Sequence, residues 1–111
     1  MREIVWIKQA RKEFESFPSA ARDEMLTALD IAALGGKADI AKPMKGLGSG
    51  VLEIALPYRS DAYRVVYAIQ FENEIWVIHA FQKKSNKGIS TPQKELELIK
   101  ARLKRVREMQ S

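Results

Sequence analysis

The stretch Ala62-Tyr-Arg-Val-Val-Tyr-Ala-Ile-Gln-Phe-Glu-Asn-Glu-Ile-Trp-Val-Ile-His-Ala-Phe-Gln82 decides the fold. β-Branched and aromatic residues dominate it on both sides of Glu72-Asn73, so it reads as two antiparallel strands, Ala62 to Phe71 and Glu74 to Gln82, joined by a short turn. Period-two alternation puts Tyr63, Val65, Tyr67 and Ile69 on one face and Ala62, Arg64, Val66 and Ala68 on the other. A two-residue turn at Glu72-Asn73 pairs Val66 with His79, Arg64 with Phe81 and Ala62 with Lys83. Arg64, His79, Phe81 and Lys83 then share one open face, while Trp76, Ile78 and Ala80 point into the core. A four-residue turn keeps that parity and a three-residue turn reverses it.

Working outward, Val51 to Leu56 is a further strand, with Leu52, Ile54 and Leu56 on one face and Glu53 and Ala55 on the other. Pro57-Tyr-Arg-Ser-Asp61 is its turn to the next strand. Lys42-Pro-Met-Lys-Gly-Leu-Gly-Ser-Gly50 has too much glycine for a helix and reads as a loop whose backbone can approach another group closely. Upstream, Ser19 to Leu34 carries Ala21, Met25, Leu29, Ala32 and Ala33 at helical spacing, with Gly35-Gly36 as its stop. Ala10, Phe14 and Phe17 mark a shorter helix ended by Pro18, and Glu3 to Ile7 is a first strand. At the other end, Thr91-Pro92 is a helix start with Thr91 as N-cap, and Leu96, Ile99, Leu103 and Val106 form an apolar stripe. The predicted order is β-α-α-β-β-β-α: an α+β fold with an N-terminal strand and αα-hairpin packed on an antiparallel sheet, as one domain over residues 1–111.

The chain has 111 residues, 46% of them hydrophobic and 30% charged, the balance of a folded soluble protein with one core. It has no cysteine, which excludes disulfides, thiolate metal sites and cysteine nucleophiles. No secretory or membrane-spanning run is present, so a cytoplasmic protein with no membrane partner is expected. The net charge of +5 is uneven: Lys83 to Arg107 carries nine Lys/Arg against Glu95 and Glu97 alone. That asymmetry suits a polyanion such as nucleic acid, or equally a solvated basic helix.

Familiar nucleotide and metal motifs are missing, and one histidine cannot build a histidine metal cluster, so neither cofactor nor metal is expected. Gly46-Leu-Gly-Ser-Gly50 precedes a strand rather than a helix, unlike a phosphate-binding loop. What remains is cationic: Arg64 in mid-strand, Lys83 and Lys84 at a strand end, Lys87 beyond them, and Lys42 and Lys45 in the glycine loop. An arginine in a strand of valines and tyrosines needs an anionic partner, either Glu53 or a phosphate gripped by two parallel hydrogen bonds. His79, the one histidine, is either a satisfied structural histidine or a proton carrier. Phe81 is either packing or a stacking platform for a base.

Three segments in order carry a resemblance: Lys42-Pro-Met-Lys-Gly-Leu-Gly-Ser-Gly-Val-Leu-Glu-Ile54, Tyr63-Arg-Val-Val-Tyr67, and His79-Ala-Phe-Gln-Lys-Lys-Ser-Asn-Lys87 followed by Thr91-Pro92 and the basic helix. Together they resemble the RelE/ParE toxin superfamily, HigB-like phage-related branch. The resemblance implies a type II toxin that acts on the 70S ribosome, cleaving mRNA as a metal-independent endoribonuclease, and that is neutralised by a helix-turn-helix antitoxin. It implies Arg64 on the scissile phosphate and Lys83 or Lys84 stabilising the transition-state charge. His79 or Glu53 would move protons, Phe81 would stack a base, and Lys42, Lys45, Arg59 and Lys87 would contact RNA phosphates. The chain departs from the RelE pattern in having Glu53 and Ala55 where that strand is basic, and in lacking the C-terminal catalytic tyrosine. Two other readings share these features: a ParE-like gyrase inhibitor and a non-catalytic nucleic-acid-binding domain.

Overall fold

The computed structural model describes residues 1–70, 73–84 and 91–109. Eight elements follow in order: β1 (Glu3–Trp6), α1 (Lys8–Glu15), α2 (Ser19–Ala33), β2 (Ala41–Pro43), β3 (Val51–Tyr58), β4 (Asp61–Gln70), β5 (Glu74–Lys83) and α3 (Gln93–Met109). The strands form one five-stranded sheet in the order β1-β5-β4-β3-β2. The α+β class and the element order expected from the sequence are found, with two differences. The sheet is mixed, because β1 lies parallel to β5 at one edge while the αα-hairpin carries the chain from β1 to β2 at the other. A short strand, β2, forms within the segment read as loop and pairs antiparallel with β3 at the other edge, where Pro43 withholds no needed hydrogen bond.

Both faces of the sheet are covered. On one, Leu52, Ile54, Tyr63, Val65, Tyr67, Ile75, Val77 and Ala80 pack with Phe14, Phe17, Met25 and Leu29 from α1, α2 and the segment joining them. On the other, Val51, Val66, Ala68 and Ile78 pack against Ile99, Leu103 and Val106 of α3, with Trp76 and Leu96 at the margin. The face expected to be open therefore lies under α3. Leu103 is 2% exposed at its centre. Leu103→Ala is expected to cost on the order of 2–5 kcal/mol in urea unfolding, through lost burial and the cavity left behind; a cost below 1 kcal/mol would show that α3 is loosely held.

The β4–β5 register holds the main structural lesson. Near the turn Gln70 pairs with Glu74 and Ile69 with Ile75, the offset of a three-residue connection rather than the expected two. An irregularity at Val66/Tyr67 then lets β5 spend one extra residue, Ile78, so that Val66–His79, Arg64–Phe81 and Ala62–Lys83 pair as expected. The bulge also splits the trio expected to face the core together. Trp76 and Ile78 join the α3 side, and Ala80 joins the α1/α2 side.

Candidate functional site

Past the bulge, β5 outruns its edge neighbour: β1 pairing ends at Trp6–Val77, leaving the Ile78 carbonyl and Ala80 N–H without a strand to meet. Buried backbone polar groups need partners, and two long side chains supply them. The Ala80 N–H donates to Glu13 Oε1 at 3.3 Å, and Arg102 Nη1 donates to the Ile78 carbonyl at 3.2 Å. Glu13 and Arg102 in turn form a two-pronged pair at 2.8 and 3.0 Å, bridging α1 to α3 across the sheet edge.

His79, 1% exposed, is bracketed by this pair and by the start of α3. Its Nε2 lies 2.7 Å from Glu95 Oε1 and its Nδ1 lies 2.7 Å from Arg102 Nη1. A ring that accepts at Nδ1 from the guanidinium and donates from Nε2 to Glu95 satisfies both contacts, which is the neutral Nε2–H tautomer. Nδ1 also lies 3.3 Å from Glu13 Oε1, a contact that only a protonated Nδ1 could turn into a hydrogen bond. Phe81 stacks on the imidazole with centroids 5.4 Å apart and 29° between planes.

Burial alone would push the Glu13 carboxyl up; hydrogen bonds from His79, Arg102 and the Ala80 N–H instead hold it at about 2, against 4.5 ordinarily. The Arg102 fork and the Ala80 N–H lower it with the neutral imidazole too, whereas the part from His79 requires a proton on Nδ1. A depressed carboxyl stabilises the fold above its unfolded value, and that contribution disappears as pH falls from about 4.5 towards 2. Glu13→Gln is therefore expected to lower stability at pH 7 and to flatten its fall over that acid range, read by thermal melts at stepped pH. An unchanged acid slope would remove Glu13 from the account.

Arg64, 4% exposed in the middle of β4, lies two cross-strand pairs away from His79, on the same face. Of the two anions considered for it, Glu53 is the one present: Arg64 Nη1 donates to Glu53 Oε1 at 3.1 Å. The Thr91 hydroxyl donates to Glu53 Oε2 at 3.0 Å. Thr91 was expected to spend that hydroxyl on capping α3; it fastens the entry to the helix onto β3 instead.

Arg64, His79, Phe81 and Lys83 do share a face with Glu53, in the register anticipated. Lys83 is half-buried at the end of β5 and Lys84 exposed just beyond it. Lys42 stands opposite Glu53 on the edge strand, exposed, and Lys45 is exposed in the glycine loop. Arg59 is exposed at the tip of the β3–β4 hairpin, in the left-handed region (φ 58°), with its guanidinium 5.6 Å from the Tyr58 ring centre. Lys87 lies outside the described residues. Glu13, Glu95 and Arg102 are the members that sequence reading missed. In the sequence Glu95 is one of two acids, and Arg102 one of nine cations, in the basic C-terminal quarter; Arg102's place beside Leu103, at the border of the apolar stripe, is the available signal.

The profile of the family described as phage derived protein Gp49-like (DUF891) matches residues 12–104, which span every member of this cluster from Glu13 to Arg102. The chain belongs to the phage-derived Gp49-like family. Its fold is shared with solved structures of low sequence identity. One is E. coli toxin RelE, a double mutant in the free state, at 21% identity and a TM-score of 0.63 over 95% of this chain and 97% of that one. Another is a chain of the intact E. coli RelBE toxin–antitoxin complex, at 19% identity and 0.58 over 78% of this chain and 100% of that one. The Gp49-like chain thus shares the RelE fold. No curated protein is detectably similar in sequence. Among the described residues no helix is long and apolar enough to cross a membrane.

Proposed function

We propose that this Gp49-like chain is the toxin of a type II toxin–antitoxin system, an endoribonuclease that cleaves mRNA on the ribosome and is neutralised by a helix-turn-helix antitoxin. The observation that carries the reading is the face on which Arg64, His79, Phe81 and Lys83 converge within a fold shared end to end with RelE. In this reading the RNA 2′-hydroxyl attacks the adjacent phosphorus, forming a cyclic phosphate and releasing the 5′-hydroxyl of the next nucleotide. Arg64 leaves Glu53 for the scissile phosphate, exchanging one oxyanion for another in the same guanidinium fork. Lys83 or Lys84 offsets the charge that develops, usually the largest contribution in such sites. Glu53, once released, or His79 accepts the nucleophile's proton, and Phe81 stacks a base. Lys42, Lys45, Arg59 and Lys87 contact phosphates of messenger or ribosome. The expected setting is cytoplasmic, with no metal or cofactor.

Induced expression in bacteria, scored for growth and by primer extension across translated messages, tests this. Growth arrest accompanied by cuts inside translated frames is expected, and Lys83→Ala with Lys84→Ala is expected to weaken both strongly. A second reading has one observation in its favour: Arg64 and His79 are buried against the chain's own carboxylates, as in a domain that binds without cleaving. Arrest with intact messages would select it, as a ParE-like gyrase inhibitor; no arrest would leave a nucleic-acid-binding domain.

A further inference from the structure

The glycine loop does more than connect β2 to β3. Gly46 and Gly48 adopt φ of +80° and +88°, conformations that other residues rarely adopt, and between them Leu47 turns inward until it is 6% exposed. Leu47 joins Ile99, Leu103 and Val106 of α3 in the second core. Arg107 Nη2 donates to the Leu47 carbonyl at 2.8 Å and lies so close over Gly48 that a Cβ there would stand 2.9 Å from it. The loop and the last turns of α3 are thereby held together, and between them opens a hollow of about 640 Å³, within the roughly 300–1,000 Å³ range of ligand sites.

Its floor is Leu47 and Leu103; its rim is cationic, formed by Lys100, Lys104 and Arg107, with Glu108 the one acid. The three cations recur at i, i+4 and i+7, so they line one side of the helix, where like charges repel by a few tenths of a kcal/mol per pair. All three are exposed, and among the described residues none forms an ion pair with a carboxylate. Three cations face one carboxylate, Glu108, on the rim, and that excess of positive charge points to an anion from outside. The aliphatic floor narrows the choice. Among the described residues no aromatic ring lines the hollow, so none of them can stack an unpaired base there, the usual means of holding single-stranded RNA. Carboxylates on the rim with an aliphatic side chain on the floor match an acidic amphipathic segment of a protein.

We propose that the hollow between the glycine loop and the C-terminal half of α3 docks an acidic, leucine-bearing segment of a partner protein. Carboxylates of that segment meet Lys100, Lys104 and Arg107, and its leucine rests on Leu47 and Leu103. The surface is distinct from the Arg64–His79 cluster: none of Glu13, Glu53, Arg64, His79, Glu95 and Arg102 lines the hollow. It stands whether or not the chain cleaves RNA.

The test uses the isotope-labelled full chain and three probes of equal charge: a helical peptide of glutamate and leucine, a glutamate–serine peptide, and a uridine oligonucleotide. The glutamate–leucine peptide is expected to shift the amide resonances of Gly46 to Gly48 and Lys100 to Arg107, and to bind at least tenfold more tightly than the serine peptide. Lys104→Gln, an exposed and conservative change, is expected to weaken it at least fivefold. Equal binding of the two peptides, peptide-induced shifts elsewhere, or no effect of Lys104→Gln would overturn the proposal. So would an oligonucleotide that shifts the same amides as strongly, which would make the hollow a nucleic-acid site. Because no ribosome or message is present, failure here leaves the cleavage reading untouched, and failure of cleavage leaves this surface intact.

Discussion

Arg64→Lys is expected to lower message cleavage at least about a hundredfold and to abolish growth arrest while the protein remains folded. Lysine keeps the positive charge, but loses the planar fork that lets arginine pass from a carboxylate to a phosphate with two parallel hydrogen bonds. Loss of one preorganised donor to a developing oxyanion costs about 10²–10³ in rate. Arg64→Ala is the harsher change, because it also strands Glu53, a side chain 13% exposed; breaking a buried pair in this way costs on the order of 3 kcal/mol. The two effects separate by melting each variant before assaying it. A folded Arg64→Lys protein with full toxicity would remove Arg64 from the chemistry.

A large stability effect is also expected at Arg102, a residue outside the proposed chemistry. Arg102→Leu removes the fork to Glu13, the contact with His79 Nδ1 and the hydrogen bond to the Ile78 carbonyl at one stroke. The Glu13 side chain is 30% exposed, so water can compensate in part. The expected cost is about 3 kcal/mol, at the lower end for a broken buried pair. Urea unfolding gives the number, and the double variant Glu13→Leu with Arg102→Leu is expected to recover a good part of it, since no carboxylate is then left without its cation. A cost under 1 kcal/mol, or a double variant that simply adds the two single losses, would mean that the bridge between α1 and α3 is ornamental.

The residues explain why some of this was legible in the chain and some was not. Alternation in Tyr63 to Ile69 and the stripe Leu96, Ile99, Leu103 and Val106 are repeating signals, and they placed β4 and α3 correctly. β2 has three residues, one of them proline, too few to alternate. The pairing of Arg64 with Phe81 and of Val66 with His79 was reached through a two-residue turn that the chain does not make; a bulge at Ile78 cancelled the error. A bulge leaves no periodic trace, and so Trp76 and Ile78 were assigned to the wrong side while Ala80 was placed correctly. The convergence of Arg64, Glu53 and His79 was readable because all three sit on paired strands. Glu13, Glu95 and Arg102 reach the same place from two helices, at sequence separations that local pattern cannot connect. Coverage of that face by α3 was hidden for the same reason: amphipathicity says that a helix packs, and not upon which side of a sheet.

The central claim is that the chain cuts messenger RNA on the ribosome, and a reconstituted reaction tests it most directly. Purified protein is added to 70S ribosomes holding a labelled message with a defined codon in the A site, beside the same message without ribosomes, and the products are sized. Cleavage at the A-site codon within minutes, dependent on ribosomes and lost with Arg64→Lys, is expected. Intact message on ribosomes with the folded wild-type protein, or equal cutting of the naked message, would contradict it.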